Sequence, residues 1–254
     1  MMRLLHKLAV AAISLATLCM YATFFFYRTN RLLLFGVAVI IAGLVSLLGK
    51  RMRVHDSFWR LYFFVEIGIL GLFSVVEWNP SLYLVSSLGT IAAGILAIWG
   101  ILAVSPTAFL REKPLRRVVV VFLAFSVFAY AATGQAVLSF FPTVPPFIVH
   151  GIIALFSSIG AYLAWSLYYD GQTLEFMIPA AVIGGLTFEI SLVFSFLSIG
   201  YLASAFLISW LWYLAQLLIR FHFGRRDIVW SKQRWFLGMN ALVMIVFVYS
   251  LRFL

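Results

Sequence analysis

The chain has 254 residues, 65% of them hydrophobic and only 10% charged, with 18 Lys and Arg against 8 Asp and Glu for a net charge of +10. Soluble domains carry about 25% charged and about 45–50% apolar residues, and no soluble fold of this length has interior enough to hide so many apolar side chains, so lipid is the expected solvent. A positive balance in a soluble protein would suggest nucleic acid, but here the cations sit in a few short loops, as the positive-inside bias produces, and nucleic acid is not an expected partner.

Arg3 and Lys7 before an apolar run resemble the opening of a signal peptide. The run continues from Leu8 to Tyr27, however, and about 20 residues is span length rather than signal length. Ala16, Thr17 and Leu18 also make a poor lipoprotein cleavage site ahead of Cys19, so the segment reads as an uncleaved signal anchor and first span. Cys19 is the single cysteine, which excludes an intrachain disulfide and any paired-cysteine metal or redox motif.

Runs of about 17–25 apolar residues between polar breaks then place spans near 8–27, 32–49, 61–78, 82–104, 118–141, 147–169, 175–199, 201–221 and 235–254. The fold class is all-α: a polytopic transmembrane bundle of about nine spans in one domain. Eight remain if the seventh and eighth are one, since only Ile199 and Gly200 divide them. A barrel would alternate polar and apolar residues, and Val118 through Ala124 show no alternation.

The connections fix an orientation. Arg3 and Lys7; Lys50, Arg51, Arg53 and Arg60; Arg111, Lys113, Arg116 and Arg117; and Arg220, Arg225, Arg226, Lys232 and Arg234 share one side, 15 of the 18 basic residues, against Arg28, Arg31 and Arg252. The N-terminus is therefore expected in the cytoplasm and the C-terminus outside. The opposite loops are uncharged and turn-like: Asn79 to Ser81, Pro142 to Pro146, and Ser198 to Gly200. Trp59, Trp78, Trp230 and Trp235 fall at span ends, where amphipathic rings favour the headgroup zone. Small residues at four-residue spacing (Gly89/Ala93, Gly160/Ala164, Ala180/Gly184, Ala181/Gly185) would let helices approach closely.

An ionisable residue inside a span is expensive and therefore a functional candidate. Glu66 and Glu77 in the third span and Glu189 in the seventh qualify, and no Lys or Arg lies deep enough to pair with them. Keeping a glutamate neutral at pH 7 costs about 3.7 kcal/mol, and an unpaired carboxylate in lipid costs more. Glu66 and Glu189 are thus expected protonated, or hydrogen-bonded in a small wet pocket, whereas Glu77 stands at the rim beside Trp78, Asn79 and Pro80. Gln135, Gln216, Asn240, Ser191 and Ser195 are further polar groups at membrane depth, and His150 is placed a turn into the sixth span, near the outer surface. As proton, ion or ligand positions, the candidates are Glu66, Glu189, Glu77, Gln135 and His150. Their bland alternative is interhelical glue.

No HExxH, nucleophile elbow, Walker loop or dinucleotide fingerprint occurs, and no span carries a lysine for a Schiff base. No metal site, cofactor or catalytic residue is expected. Arg51, Arg53, Arg116, Arg117, Arg225 and Arg226 are candidates for contact with anionic lipid headgroups, at about 1 kcal/mol per basic residue near such a leaflet.

The stretch from Phe188 to Leu202, running into the next span and its basic loop, resembles the C-terminal part of uncharacterised bacterial multi-pass membrane families. The resemblance covers about 50 residues and implies a bacterial inner membrane; it transfers no role to any residue. Three readings follow. The first is a non-catalytic subunit or scaffold of a membrane assembly, with lipid and a protein partner or a homo-oligomer around it. The second is a small ion-coupled transporter using Glu66 and Glu189. The third is a lipid-modifying enzyme using rim residues such as Glu77, His150 or Asp170.

Overall fold

The computed structural model describes residues 113–169, 173–197, 199–223 and 230–251, with isolated helical positions at Ile40, Leu61, Phe64, Val65, Ile67, Gly68, Gly71 and Leu72. Apart from those positions, the first four expected spans lie outside the described residues.

Five helices follow one another: α1 (Lys113–Phe140), α2 (Pro146–Ser166), α3 (Thr173–Ser195), α4 (Tyr201–Phe223) and α5 (Trp230–Leu251). No strand occurs among the described residues. Each helix overlaps one of the last five runs picked out by hydropathy. Within the first four, Val119–Phe140, Pro146–Ser166, Glu175–Ser195 and Tyr201–Arg220 are long and apolar enough to cross a membrane. At 1.5 Å per residue, 20 residues reach about 30 Å, the thickness of a hydrocarbon core. In α5 the described apolar stretch is Arg234–Tyr249.

The turns obey local chemistry. Pro145 precedes α2 in an extended conformation, and Pro146 occupies the first helical position, where a missing N–H costs nothing. Between α3 and α4 the chain breaks: Phe196 and Leu197 donate their N–H groups back to Val193 and Phe194 at 3.2 Å, and Ser204 N–H closes on the Gly200 carbonyl at 3.0 Å. The weakest boundary in the sequence is thus a real one, with Gly200 immediately ahead of α4.

The first four helices form a ring in chain order: α1 packs on α2 and α4, and α3 on α2 and α4. Neighbours are antiparallel. Gly134 of α1 lies against Val149 and Ile153 of α2, Tyr130 stacks on Phe156 with ring centroids 4.0 Å apart, and Val127 meets Gly160. A side chain on Gly160 would meet Val127, Phe64 and Trp212 at 3.1–3.2 Å, so this glycine sits where α1, α4 and the helical stretch around Phe64 converge on α2. That stretch is also tied to α1 by a hydrogen bond from the Tyr130 hydroxyl to the Phe64 carbonyl at 2.7 Å.

Across the ring, α2 and α4 run parallel and are bridged by aromatic side chains. Trp212 donates its indole N–H to the Ser157 carbonyl at 2.9 Å, Trp165 to the Gln216 carbonyl at 3.2 Å, and the Tyr169 hydroxyl to the Arg220 carbonyl at 2.7 Å. Beside the last rung, the Arg220 guanidinium lies 4.4 Å above the Tyr168 ring. α5 attaches to the outside of α4, where Trp210 donates to Asn240 Oδ1 at 3.1 Å and Phe206 packs on Phe247.

Of the small-residue pairs, Ala180/Gly184 is buried against α2, where a Gly184 side chain would press on Ser158 and sit 3.0 Å from the Ala154 carbonyl. Ala181/Gly185, one position on, faces out, with nothing within 4 Å of Gly185. The twin positions give a paired prediction. Gly184→Ala should lower stability in detergent by about 1–3 kcal/mol through overpacking, while Gly185→Ala should leave it within about 0.5 kcal/mol. Equal melting temperatures for the two variants would contradict the packing of α3 on α2.

Candidate functional site

In hydrocarbon, a side-chain hydroxyl must find a protein acceptor, and most do so on their own helix. Ser126, Thr133, Ser139, Thr187 and Ser209 each donate to the carbonyl three or four residues earlier, at 2.7–2.9 Å. Three polar side chains do something more. Near the end of the bundle that carries the 141–145 and 196–200 turns, α1, α2 and α3 bring together Gln135, His150 and Ser191.

Gln135 Nε2 donates to the Ser191 carbonyl at 3.2 Å, across the ring. His150 Nδ1 lies 3.0 Å from Ser191 Oγ, and that hydroxyl lies 2.9 Å from the Phe188 carbonyl. A hydroxyl has one hydrogen, and a carbonyl can only accept. With that hydrogen on Phe188, Nδ1 carries the imidazole hydrogen and donates to Ser191. Nε2 is then a bare lone pair, buried and without a partner among the described residues. The Phe188 ring meets the imidazole edge-on at 6.1 Å and closes this side of the layer.

His150, a turn into its span, is fully buried between helices. The reason is its helix face: it follows Val149 and precedes Ile153 and Ser157 on the stripe of α2 that turns to the interior. Gln135 and Ser191 are likewise buried.

A second polar zone lies deeper in the same ring. The Ser157 hydroxyl and both side-chain polar atoms of Gln216 are buried without partners among the described residues, one turn apart along the aromatic ladder of α2 and α4. Gln216 was legible as a polar group at membrane depth, whereas the ladder was not. Its signal was three aromatic N–H or O–H donors, Trp165, Tyr169 and Trp212, inside or at the edge of apolar runs.

Glu189 is placed differently. It lies on the exposed face of α3, about 9 Å short of the helix end at Ser195. Ile178, Val182, Leu186 and Val193 share that face at 73%, 53%, 43% and 57% exposure, together with Ala181 and Gly185. It makes no hydrogen bond or ion pair with any described residue. Of the two expectations for it, a protonated carboxyl or one hydrogen-bonded in a small wet pocket, no described residue supplies a hydrogen-bond partner for the second. Glu175, also exposed, occupies the first turn of α3, where a negative charge suits the helix dipole.

Glu66, Glu77, Asp170, Arg51, Arg53, Arg225 and Arg226 lie outside the described residues, and Arg116 and Arg117 are described only as part of the first turns of α1. Among the described residues no group of His, Cys, Asp and Glu could hold a metal ion. The four apolar helices make this an integral membrane protein of the helical class. Compared with known proteins, the chain matches no family, and no curated protein or solved structure shows significant similarity to it.

The shared serine gives the layer a measurable coupling. Ser191→Ala strands the His150 Nδ1 hydrogen and should cost about 1–3 kcal/mol, the desolvation of an unsatisfied buried donor. In a His150→Leu background the same change should cost clearly less, with a coupling of at least about 0.5 kcal/mol in a double-mutant cycle read by thermal unfolding in detergent. Additive losses would mean that the two side chains do not hold each other.

Proposed function

We propose that this protein is a non-catalytic subunit or scaffold of a membrane assembly, a bundle of about nine spans in a bacterial inner membrane with its N-terminus in the cytoplasm. One observation carries the reading. Glu189 lies within the apolar length of α3, on a face that the other described helices leave open. A carboxyl at that depth is costly against lipid, and a partner outside the chain removes the cost.

The two buried polar zones fit the same reading, since polar groups that bond across helices lock a bundle together. A transporter would draw its glutamates toward a shared interior path, and Glu189 faces away from the layer formed by Gln135, His150 and Ser191. Arg51, Arg53, Arg116, Arg117, Arg225 and Arg226, on loops of one parity, would hold anionic headgroups of the cytoplasmic leaflet.

Native mass spectrometry after gentle detergent extraction from the native membrane should find a second protein in stoichiometric amount. A lone monomer that retains a small molecule or lipid would instead favour transport or lipid chemistry. Orientation has its own test, in a Cys19→Ser background. A membrane-impermeant maleimide should label Thr143→Cys in intact cells and reach Arg226→Cys only after permeabilisation; the opposite pattern would invert the topology.

A further inference from the structure

The exposed surfaces of this bundle are not alike. On α2 the open stripe is Ile148, Ile152, Leu155 and Ile159, aliphatic throughout, as lipid contact requires. On α5 it is Met239, Leu242, Val243, Ile245, Val246 and Tyr249, and its one amide, Asn240, is already bonded to Trp210 and to the Phe236 carbonyl. Ser195, exposed on α3, satisfies itself on the Leu192 carbonyl. Glu189 alone among the described mid-span groups is polar, exposed and unable to satisfy itself.

Its surroundings have the pattern of a helix-pairing seam. Ile178, Val182, Gly185, Glu189 and Phe196 are all exposed and follow the alternating four- and three-residue spacing of a coiled-coil interface, with the half-exposed Leu192 completing the run. Gly185 lies in the seam one turn from Glu189, and Ala181 beside it about two turns away. An added side chain at Gly185 would meet nothing within 4 Å, so another backbone can come close there. A single polar group in such a seam fixes which helix binds and in what register.

Resting on the subunit reading above, we infer that this face of α3 receives one transmembrane helix of another protein, carrying a Lys or Arg at the depth of Glu189. Charge decides between this occupant and a second copy of the chain. A twofold contact between copies would set Glu189 against Glu189, and two apposed carboxyls in hydrocarbon cannot both ionise, so the pair must hold at least one proton and any charge left on it stays uncompensated. A cation at the same depth neutralises the carboxylate and is itself neutralised, so each helix removes the burden of the other. Among the described residues, no Lys or Arg lies on an exposed mid-span face where a second copy could supply that cation.

The test is in-cell photocrosslinking of the full chain with a photoreactive residue at Val182 and, separately, at Leu186, followed by sequencing of the adducted peptide. The expected adduct is a transmembrane segment of one other protein with a Lys or Arg within about a turn of the crosslinked level. Its yield should fall at least tenfold in Glu189→Gln and survive in Glu189→Asp. Glu189→Lys should abolish it, and replacing the partner's cation by Glu should restore it. Because Glu189 is exposed, Glu189→Gln should melt like the parent chain, which separates lost docking from lost folding. An adduct to any peptide of this same chain, adducts to lipid alone, or an unchanged yield in Glu189→Gln would overturn the inference. Lipid adducts alongside a stoichiometric protein in native mass spectrometry would overturn this partner while leaving the subunit reading standing; a lone monomer there would remove both.

Discussion

Hydrocarbon offers no hydrogen-bond partner, so a polar atom that enters it must bring its partner along or find one on a neighbouring helix. That constraint organises the described half of this protein. Hydroxyls turn back onto their own helix, as Ser126 and Thr187 do. An indole N–H cannot reach its own backbone, and so Trp165 and Trp212 cross to carbonyls of the parallel helix opposite. Those carbonyls can accept a second bond because each has two lone pairs. The aromatic donors thereby become the tie between α2 and α4, two helices whose backbones hardly touch.

The same constraint explains why glycine and alanine line the other contacts. Lipid removes the hydrophobic drive for helix association, leaving close packing and interhelical hydrogen bonds to do it. Gly134, Gly160 and Gly184 let α1, α2 and α3 approach until backbone and side chain meet, and that closeness brings Gln135 and His150 within reach of Ser191. The polar layer depends on the glycines for its distances, and the glycines gain selectivity from the layer, since only one register satisfies all three side chains. A slide of α3 by one turn would carry Ser191 about 5.4 Å from His150.

Much of this was legible in the residues. Hydropathy located all five described helices within a few positions, because apolar length in a membrane chain is set by bilayer thickness and not by tertiary context. The break at Gly200 was harder, since two apolar runs separated by two residues read almost as one; the turn needs coordinates to be seen. Which way a polar residue faces was not readable. His150 and Glu189 are both single ionisable residues in apolar runs, yet one is fully buried and the other open. On helices that are apolar all round, the hydrophobic pattern carries no inside and no outside. The pairs Ala180/Gly184 and Ala181/Gly185 make the same point. They are adjacent in sequence and chemically identical, and only packing shows that one closes on α2 while the other is left open.

That last asymmetry bears on how the protein exists in its membrane. A chain that satisfied every polar group within itself would be complete in lipid. Among the described residues, exposed polar groups within the spans are satisfied by local means, Ser195 on its own helix and Asn240 on α4, while Glu189 is left without a partner on the outer face of α3. A carboxyl against lipid is costly, and in the proposed assembly a second helix carrying the opposite charge would remove that cost. In the proposed assembly the same residue would select the partner and distinguish the bound chain from the free one, since binding shifts stability by mass action.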